Sequence, residues 1–440
     1  MDNLMKKLAA KVDKAEVYHL RSRSVPIEFR AGRLESIMVK EVEGEALRVI
    51  DNGRLGFATT TNVNEPAELI AAAAAAAAFG EPAEFDFAAA ETAQTSEIYD
   101  PAIVALNEEE MIAIGEQAIA RLHAVDPEAV VNLSVEKTTG EVMIANTAGV
   151  ELREERTHIS LSIEVEKARE GDIFTLYASE QTRYLDDLPA KELIDRLAIQ
   201  LRYGERIVSV PSKELSVVFS AHGAVTILLP LMVGLNGKSV YMETSPLKGR
   251  IGEEVFDPRL TITDDGTLPR GPRSSGFDDE GTITARTPLV SGGVIIEFIY
   301  DRRTAALAGA SPTGNGYKGG LFGGGFRTPP GVGMGNLLIE PGETNQERLI
   351  AGIDEGILVE SVLGLGQGNI NAGEFSNNVA VAFKIKDGKI VGRVKNTMIA
   401  GNSYTLLKDR LIDFSNKAHW AYGILHTPAI AVDGVSIVGG

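Results

Sequence analysis

Near the amino terminus, apolar and polar residues alternate with a period of two at 16–21, 27–30, 36–40, 46–50 and 55–59, and each run reads as a half-buried strand. Asp51-Asn52-Gly53 supplies the positive-φ residues of a tight hairpin between the last two. The period then changes. Asn64 can cap a helix, Glu65 and Pro66 suit its first turn, and the helix continues through the alanine tract 71–78 to Phe79-Gly80. Alanine is the best helix former, so the tract reads as a closely packed structural helix. Residues 81–101 are rich in Ala, Glu, Pro and Thr and read as a connector.

A second set of elements follows. The pattern predicts a helix over 108–124, strands at 130–137, 142–146, 150–156 and 158–167, and a helix over 189–203. Leu193, Ile194, Leu197 and Leu201 form the apolar stripe of that last helix, and Gly204 closes it. From 213 onward the chain is rich in glycine and hairpin signals, including Lys386-Asp387-Gly388 and Val432-Asp433-Gly434. Residues 379–385 alternate like a strand, and Thr344 with Glu347 predicts a capping box for one clear helix over 345–355. The expectation is an α+β protein in three parts: an amino-terminal α+β domain over 1–85, a middle α+β domain over 102–210, both with antiparallel sheets, and a large, mainly antiparallel β domain over 213–440.

Composition narrows the chemistry. With 43 basic and 61 acidic residues the net charge is −18, which repels nucleic-acid backbones, and no basic run offsets it. The chain has no cysteine, which excludes disulfides, thiol nucleophiles and thiolate metal sites. The first residues lack the apolar core of a signal peptide, so a cytoplasmic location is expected. Residues 215–237 carry no formal charge over 23 positions, a length that can span a bilayer. Ser220, His222, Gly223, Thr226, Pro230 and Gly234 interrupt them, so a buried strand and helix are expected instead, and no membrane contact.

Several constellations invite chemistry. Asp264-Asp265 and Asp278-Asp279-Glu280 sit beside glycines, where aspartates close turns through their own side chains, and this outweighs an acid–base pair or a calcium site. Ten glycines fall within 314–335, yet no Gly-Lys-Ser/Thr follows, so a phosphate loop is not expected. Ser245-Pro-Leu-Lys248 with Ser376-Asn-Asn378 resembles the motif pair of a serine hydrolase, but Pro246 and Gly249 argue for a loop and no Lys-Thr-Gly follows. His222 has no second histidine or acid at helical spacing, and His419 with His426 lacks a third ligand.

Beyond 215 a series of motifs occurs in order: Gly249-Arg-Ile-Gly-Glu-Glu-Val255, Leu260-Thr-Ile-Thr-Asp-Asp-Gly266, Phe277-Asp-Asp-Glu-Gly-Thr282, Tyr300-Asp-Arg-Arg-Thr-Ala305, Pro312-Thr-Gly-Asn-Gly316, Ile399-Ala-Gly-Asn402 and Val438-Gly-Gly440. Together they resemble the TldD/PmbA family, historically called modulators of DNA gyrase. The resemblance implies a two-subunit peptidase in which TldD carries a metal on a His-Glu-x-x-x-His helix, plus a cysteine near its carboxyl terminus. Counting back without gaps from Gly249-Arg250, that helix falls on Leu228-Leu-Pro-Leu-Met-Val233. Leu228 and Val233 then stand for the histidines and Leu229 for the glutamate. The cysteine position falls within 415–423, where none occurs.

What the resemblance implies is therefore a TldE/PmbA-like subunit without catalytic residues or cofactor of its own, with zinc expected in a TldD-like partner and unfolded peptide as the shared substrate. His222 and the segment Thr313, Gly314, Asn315 and Gly316 are its candidates for lining the substrate channel. A homodimer of the isolated chain is compatible with a surface built for a related partner. The rival readings are a regulatory protein acting on DNA gyrase and an independent hydrolase using Ser245 and Lys248.

Overall fold

A computed structural model of the protein describes residues 2–92, 96–169, 171–319 and 325–439. Part of the glycine-rich run and the final Gly440 lie outside them. Seven strands form the first sheet: β1 (Lys14–Arg30), β2 (Arg33–Ile37), β3 (Lys40–Asp51), β4 (Arg54–Thr60), β5 (Val130–Asn146), β6 (Glu151–Arg169) and β7 (Asp172–Thr182). Their order is β4-β3-β1-β5-β6-β7, with β2 against β1. The strands predicted near the amino terminus and those predicted after residue 130 thus share one sheet through the β1–β5 ladder.

These strands are longer than the sequence pattern predicts. The runs 16–21 and 27–30 fuse into β1, 130–137 and 142–146 into β5, and 150–156 and 158–167 into β6. The polar stretch Arg21-Ser-Arg-Ser24 does not end β1, because β3 and β5 pair both of its backbone edges while its side chains alternate between half-buried and exposed. At Pro26, which has no N–H to donate, pairing passes from β3 to β2. Strand β7 has no counterpart among the predicted elements, although Phe174, Leu176 and Ala178 carry its inward alternation.

Helices α1 (Asp2–Ala9) and α2 (Pro66–Ala77) cover one face of the sheet. Glu65, not Asn64, stands at the α2 N-cap and makes no side-chain cap bond. Helices α3 (Pro101–Ala105), α4 (Glu108–Val125) and α5 (Ala190–Tyr203) follow, α4 held by a reciprocal capping box between Asn107 and Glu110. Leu193, Ile194, Leu197 and Leu201 of α5 lie in one apolar cluster with sheet residues such as Leu161 and Ile163 and with Leu358 and Phe383 of the carboxyl-terminal part.

That part contains β8 (Lys213–Phe219), α6 (Val225–Gly234), α7 (Gly237–Tyr241), β9 (Ile262–Asp265), β10 (Arg286–Ser291), β11 (Val294–Ile295), α8 (Arg302–Ala308), β12 (Gly316–Lys318), β13 (Pro330–Val332), β14 (Leu337–Ile339), α9 (Gln346–Ala351), β15 (Glu355–Leu363), β16 (Glu374–Lys386), β17 (Lys389–Arg393), β18 (Met398–Asn402), α10 (Ser403–Asp409), β19 (Leu411–Ala421) and β20 (Leu425–Val438). Its large sheet closes on itself, because β8 pairs with β15 and β20 while β15, β16, β18 and β20 pair in turn. Among the described residues only β8–β15 and β14–β20 are parallel in this sheet, so the expected antiparallel β domain is present, with more helix than the two predicted within 215–237 and over 345–355. The helix predicted over 345–355 is shorter: Asn345 caps it, and the Thr344 hydroxyl bonds Asp413 instead. The uncharged segment 215–237 forms β8 and α6, and among the described residues no helix is long and apolar enough to cross a membrane.

Candidate functional site

Helix α6 is apolar apart from Thr226, and its residues except Val233 are buried. Two glycines seat it: a Cβ on Gly223 would meet the Val359 carbonyl oxygen at 2.1 Å, and one on Gly234 the Tyr404 hydroxyl at 2.3 Å. Pro230 sits inside the helix, and its carbonyl accepts a hydrogen bond from Tyr404 Oη at 3.2 Å. Leu228 joins the barrel core with Phe219, Val359 and Phe375. Leu229, Met232 and Val233 instead border a 210 Å³ cleft, which Met334 and Ile424 close with further apolar surface. Asn236, Ser239 and Arg273 are its polar wall residues.

Zinc takes imidazole nitrogen, thiolate sulfur or carboxylate oxygen. The helix offers the cleft only hydrocarbon and thioether, and Ile424 occupies the wall just after 415–423. These residues do not fit a zinc ion. Elsewhere, among the described residues, no three His, Cys, Asp or Glu side chains are grouped to hold a metal.

The segment Thr313 to Gly316 braces the cleft from behind. Thr313 Oγ1 lies 2.7 Å from Asn315 Oδ1, and Asn315 Nδ2 donates to Asp264 Oδ2 at 2.7 Å and to the Gly333 carbonyl at 3.0 Å. The Gly316 amide donates to Asp278 Oδ2 at 2.8 Å. Gly314 has φ +76°, and a Cβ there would meet the Ile283 carbonyl oxygen at 2.6 Å, so glycine is required twice over. These contacts place Gly319 and Val332 to Met334, not 313–316, on the cleft wall.

The acidic motifs serve the same scaffold. Asp278 accepts the amides of Glu280 and Thr282, and burial pushes its carboxyl well above the usual range. Burial raises Asp264 to about 7 against the hydrogen bonds from Asn315 and Gly335. Glu280 pairs with Arg48 at 2.7 Å, and Arg48 also binds Glu16, its cross-strand neighbour in β1 and β3. Lys318 lies above the Tyr18 and Phe57 rings, and burial lowers its ammonium to about 8. Apart from Glu280, this junction lies outside the residues singled out from the sequence. Its signal was a charged residue at an inward phase of each strand, Glu16 in β1 and Arg48 in β3.

His222 lies away from the 313–316 segment, on a cavity between α5 and the barrel. Its Nδ1 is 3.1 Å from Arg196 Nη1, and burial with the nearby guanidinium lowers its pKa to about 3. His419 and His426 lie on the paired strands β19 and β20, where His426 faces Trp420. Ser245 Oγ donates to the Gly234 carbonyl at 2.6 Å, while the Lys248 ammonium pairs with Glu243 at 2.5 Å. The geometry thus contains no Ser245–Lys248 dyad.

Comparison with known proteins agrees with this architecture. Models of the PmbA/TldA metallopeptidase match in three parts: domain 1 at 15–78, the central domain at 102–210 and the carboxyl-terminal domain at 212–439. An uncharacterised protein of Methanocaldococcus jannaschii is 28% identical over 90% of each chain. A metalloprotease TldD homolog of Haemophilus influenzae is 31% identical over 50% of this chain and 44% of its own. The crystal structure of TldE from Thermococcus kodakarensis superposes with a TM-score of 0.90 at 23% identity, covering 100% of both chains. A Thermotoga maritima protein provisionally named a modulator of a DNA gyrase superposes at 0.87 with 22% identity, over 99% of this chain and 100% of its own. With all three domain models matched over most of its length, the chain belongs to the PmbA/TldA (TldD) metallopeptidase family.

Proposed function

We propose that this chain is the non-catalytic, TldE-like subunit of a cytoplasmic TldD/TldE-type peptidase that acts on unfolded peptides. The observation that carries this reading is the aliphatic wall of the α6 cleft, with Leu229 and Val233 at two of the three motif positions. A metallopeptidase needs a metal-bound water made nucleophilic near neutral pH, and a carboxylate to take its proton. Neither is available from leucine and valine, so zinc and the general base come from a TldD-like partner. This chain supplies shape: Asn315 and Gly316 hold the β12–β13 hairpin, and Gly333 and Met334 beside it face the cleft.

A gyrase-directed role has less support, because a net charge of −18 opposes direct DNA contact. The test is reconstitution. The purified chain alone should leave an unfolded reporter peptide intact, and cleavage should appear when a TldD-like subunit joins it. Cleavage by the lone chain at the rate of the reconstituted pair would refute the division of labour.

A further inference from the structure

Helix α5, strands β7 and β15 and the turn between β8 and α6 enclose a polar cavity outside the cleft. Its volume is 370 Å³, within the roughly 300–1,000 Å³ of small-molecule sites. A second cavity of 390 Å³ adjoins it, and Glu180, Arg196, Gln200, His222 and Glu360 line both. The polar ring is therefore reached from two sides.

Charges of both signs meet here without cancelling. A guanidinium can only donate, so His222 Nδ1 accepts from Arg196 Nη1 and its proton sits on Nε2, 4.0 Å from Glu180 Oε1. Arg196 Nη2 is buried and has no hydrogen-bond partner among the described residues. Within those residues no carboxylate of the ring forms a direct ion pair with Arg196, although its field reaches both Glu180 and Glu360. Burial pushes the Glu180 carboxyl up to about 7 and raises Glu360, which Ser220 and Gln200 hold. The partnerless Arg196 donor and the carboxyls of Glu180 and Glu360, which no cation pairs directly among the described residues, leave room for a ligand that brings one negative and one positive group.

We infer that this cavity binds a small zwitterion, a free α-amino acid or a short peptide, through its ammonium and its carboxylate. The ligand carboxylate takes Arg196, and its ammonium takes the side formed by Glu180 and Glu360. Leu176, Val381 and Tyr422 provide the apolar wall for a side chain. Charge-assisted hydrogen bonds at both ends give the site its selectivity. The inference concerns a site separate from the α6 cleft and needs no partner subunit.

Isothermal titration of the full chain with leucine and with Leu-Leu tests it and separates the two ligand sources. At least one should bind, while N-acetylleucine, which lacks the ammonium, and leucinamide, which lacks the carboxylate, should bind about tenfold or more weakly. Arg196→Gln and Glu180→Gln should each lose affinity by a similar factor, with thermal melting confirming that both variants fold. The absence of heat from both zwitterions, or equal binding of the capped analogues, would overturn the site.

Discussion

Leu228 is 1% exposed inside the barrel core, whereas Val233, five residues along the same helix, borders the cleft. Truncation should separate them. Leu228→Ala leaves a cavity in packed surroundings and should cost about 2–5 kcal/mol, while Val233→Ala should cost under about 1.5 kcal/mol. Urea denaturation midpoints of the two variants check this. Glu180 gives a second prediction at this scale. Its folded pKa of about 7 lies above the ordinary 4.5, so the native state holds a proton that the unfolded chain has lost. The stability from this group is present below about 4.5 and is lost as pH rises through 7. His222, lowered to about 3, has the opposite sign, with stability lost as pH falls below 6.5. The Glu180 contribution is therefore read from a difference: Glu180→Gln should gain stability relative to wild type between pH 5 and pH 8, measured by urea unfolding at both.

Among elements, α2 and β4 explain the alanine tract. A Cβ on Gly56 of β4 would meet the Ala73 carbonyl oxygen at 2.1 Å, so helix and strand approach backbone to backbone. Gly56→Ala should lower the melting temperature through overpacking of about 1–3 kcal/mol, and calorimetry measures it. The tract was legible as a packed helix because alanine propensity and a missing side chain point the same way. Helix α4 was legible too, since its pattern over 108–124 is local to one segment, although its Asn107–Glu110 capping box emerged only in the structure. Strand length was not: nothing in Arg21-Ser-Arg-Ser24 says that β3 and β5 lie on both sides. For the same reason the α6 residues could be matched to a motif, but which of them faces the cleft depends on distant Met334 and Ile424. The Glu180 cavity was hidden because its walls come from α5, β7, β15, β16 and two turns far apart in the chain.

Across the whole molecule, Arg48 ties the first sheet to the carboxyl-terminal part through Glu16 and Glu280, all three side chains at most 4% exposed. Removing the cation strands two buried carboxylates. Arg48→Met should cost about 3–5 kcal/mol in equilibrium unfolding. Asp278 accepts the amides of both Glu280 and Gly316, which connects this junction to the cleft hairpin. On the proposed division of labour, the shape of the cleft serves a metal held by the partner. Equilibrium dialysis of the isolated chain against zinc at neutral pH tests it most directly. No tight, stoichiometric zinc is expected; one tightly bound ion per chain, lost on substitution of residues around the α6 cleft and accompanied by peptide cleavage, would mean that this chain is itself the metallopeptidase.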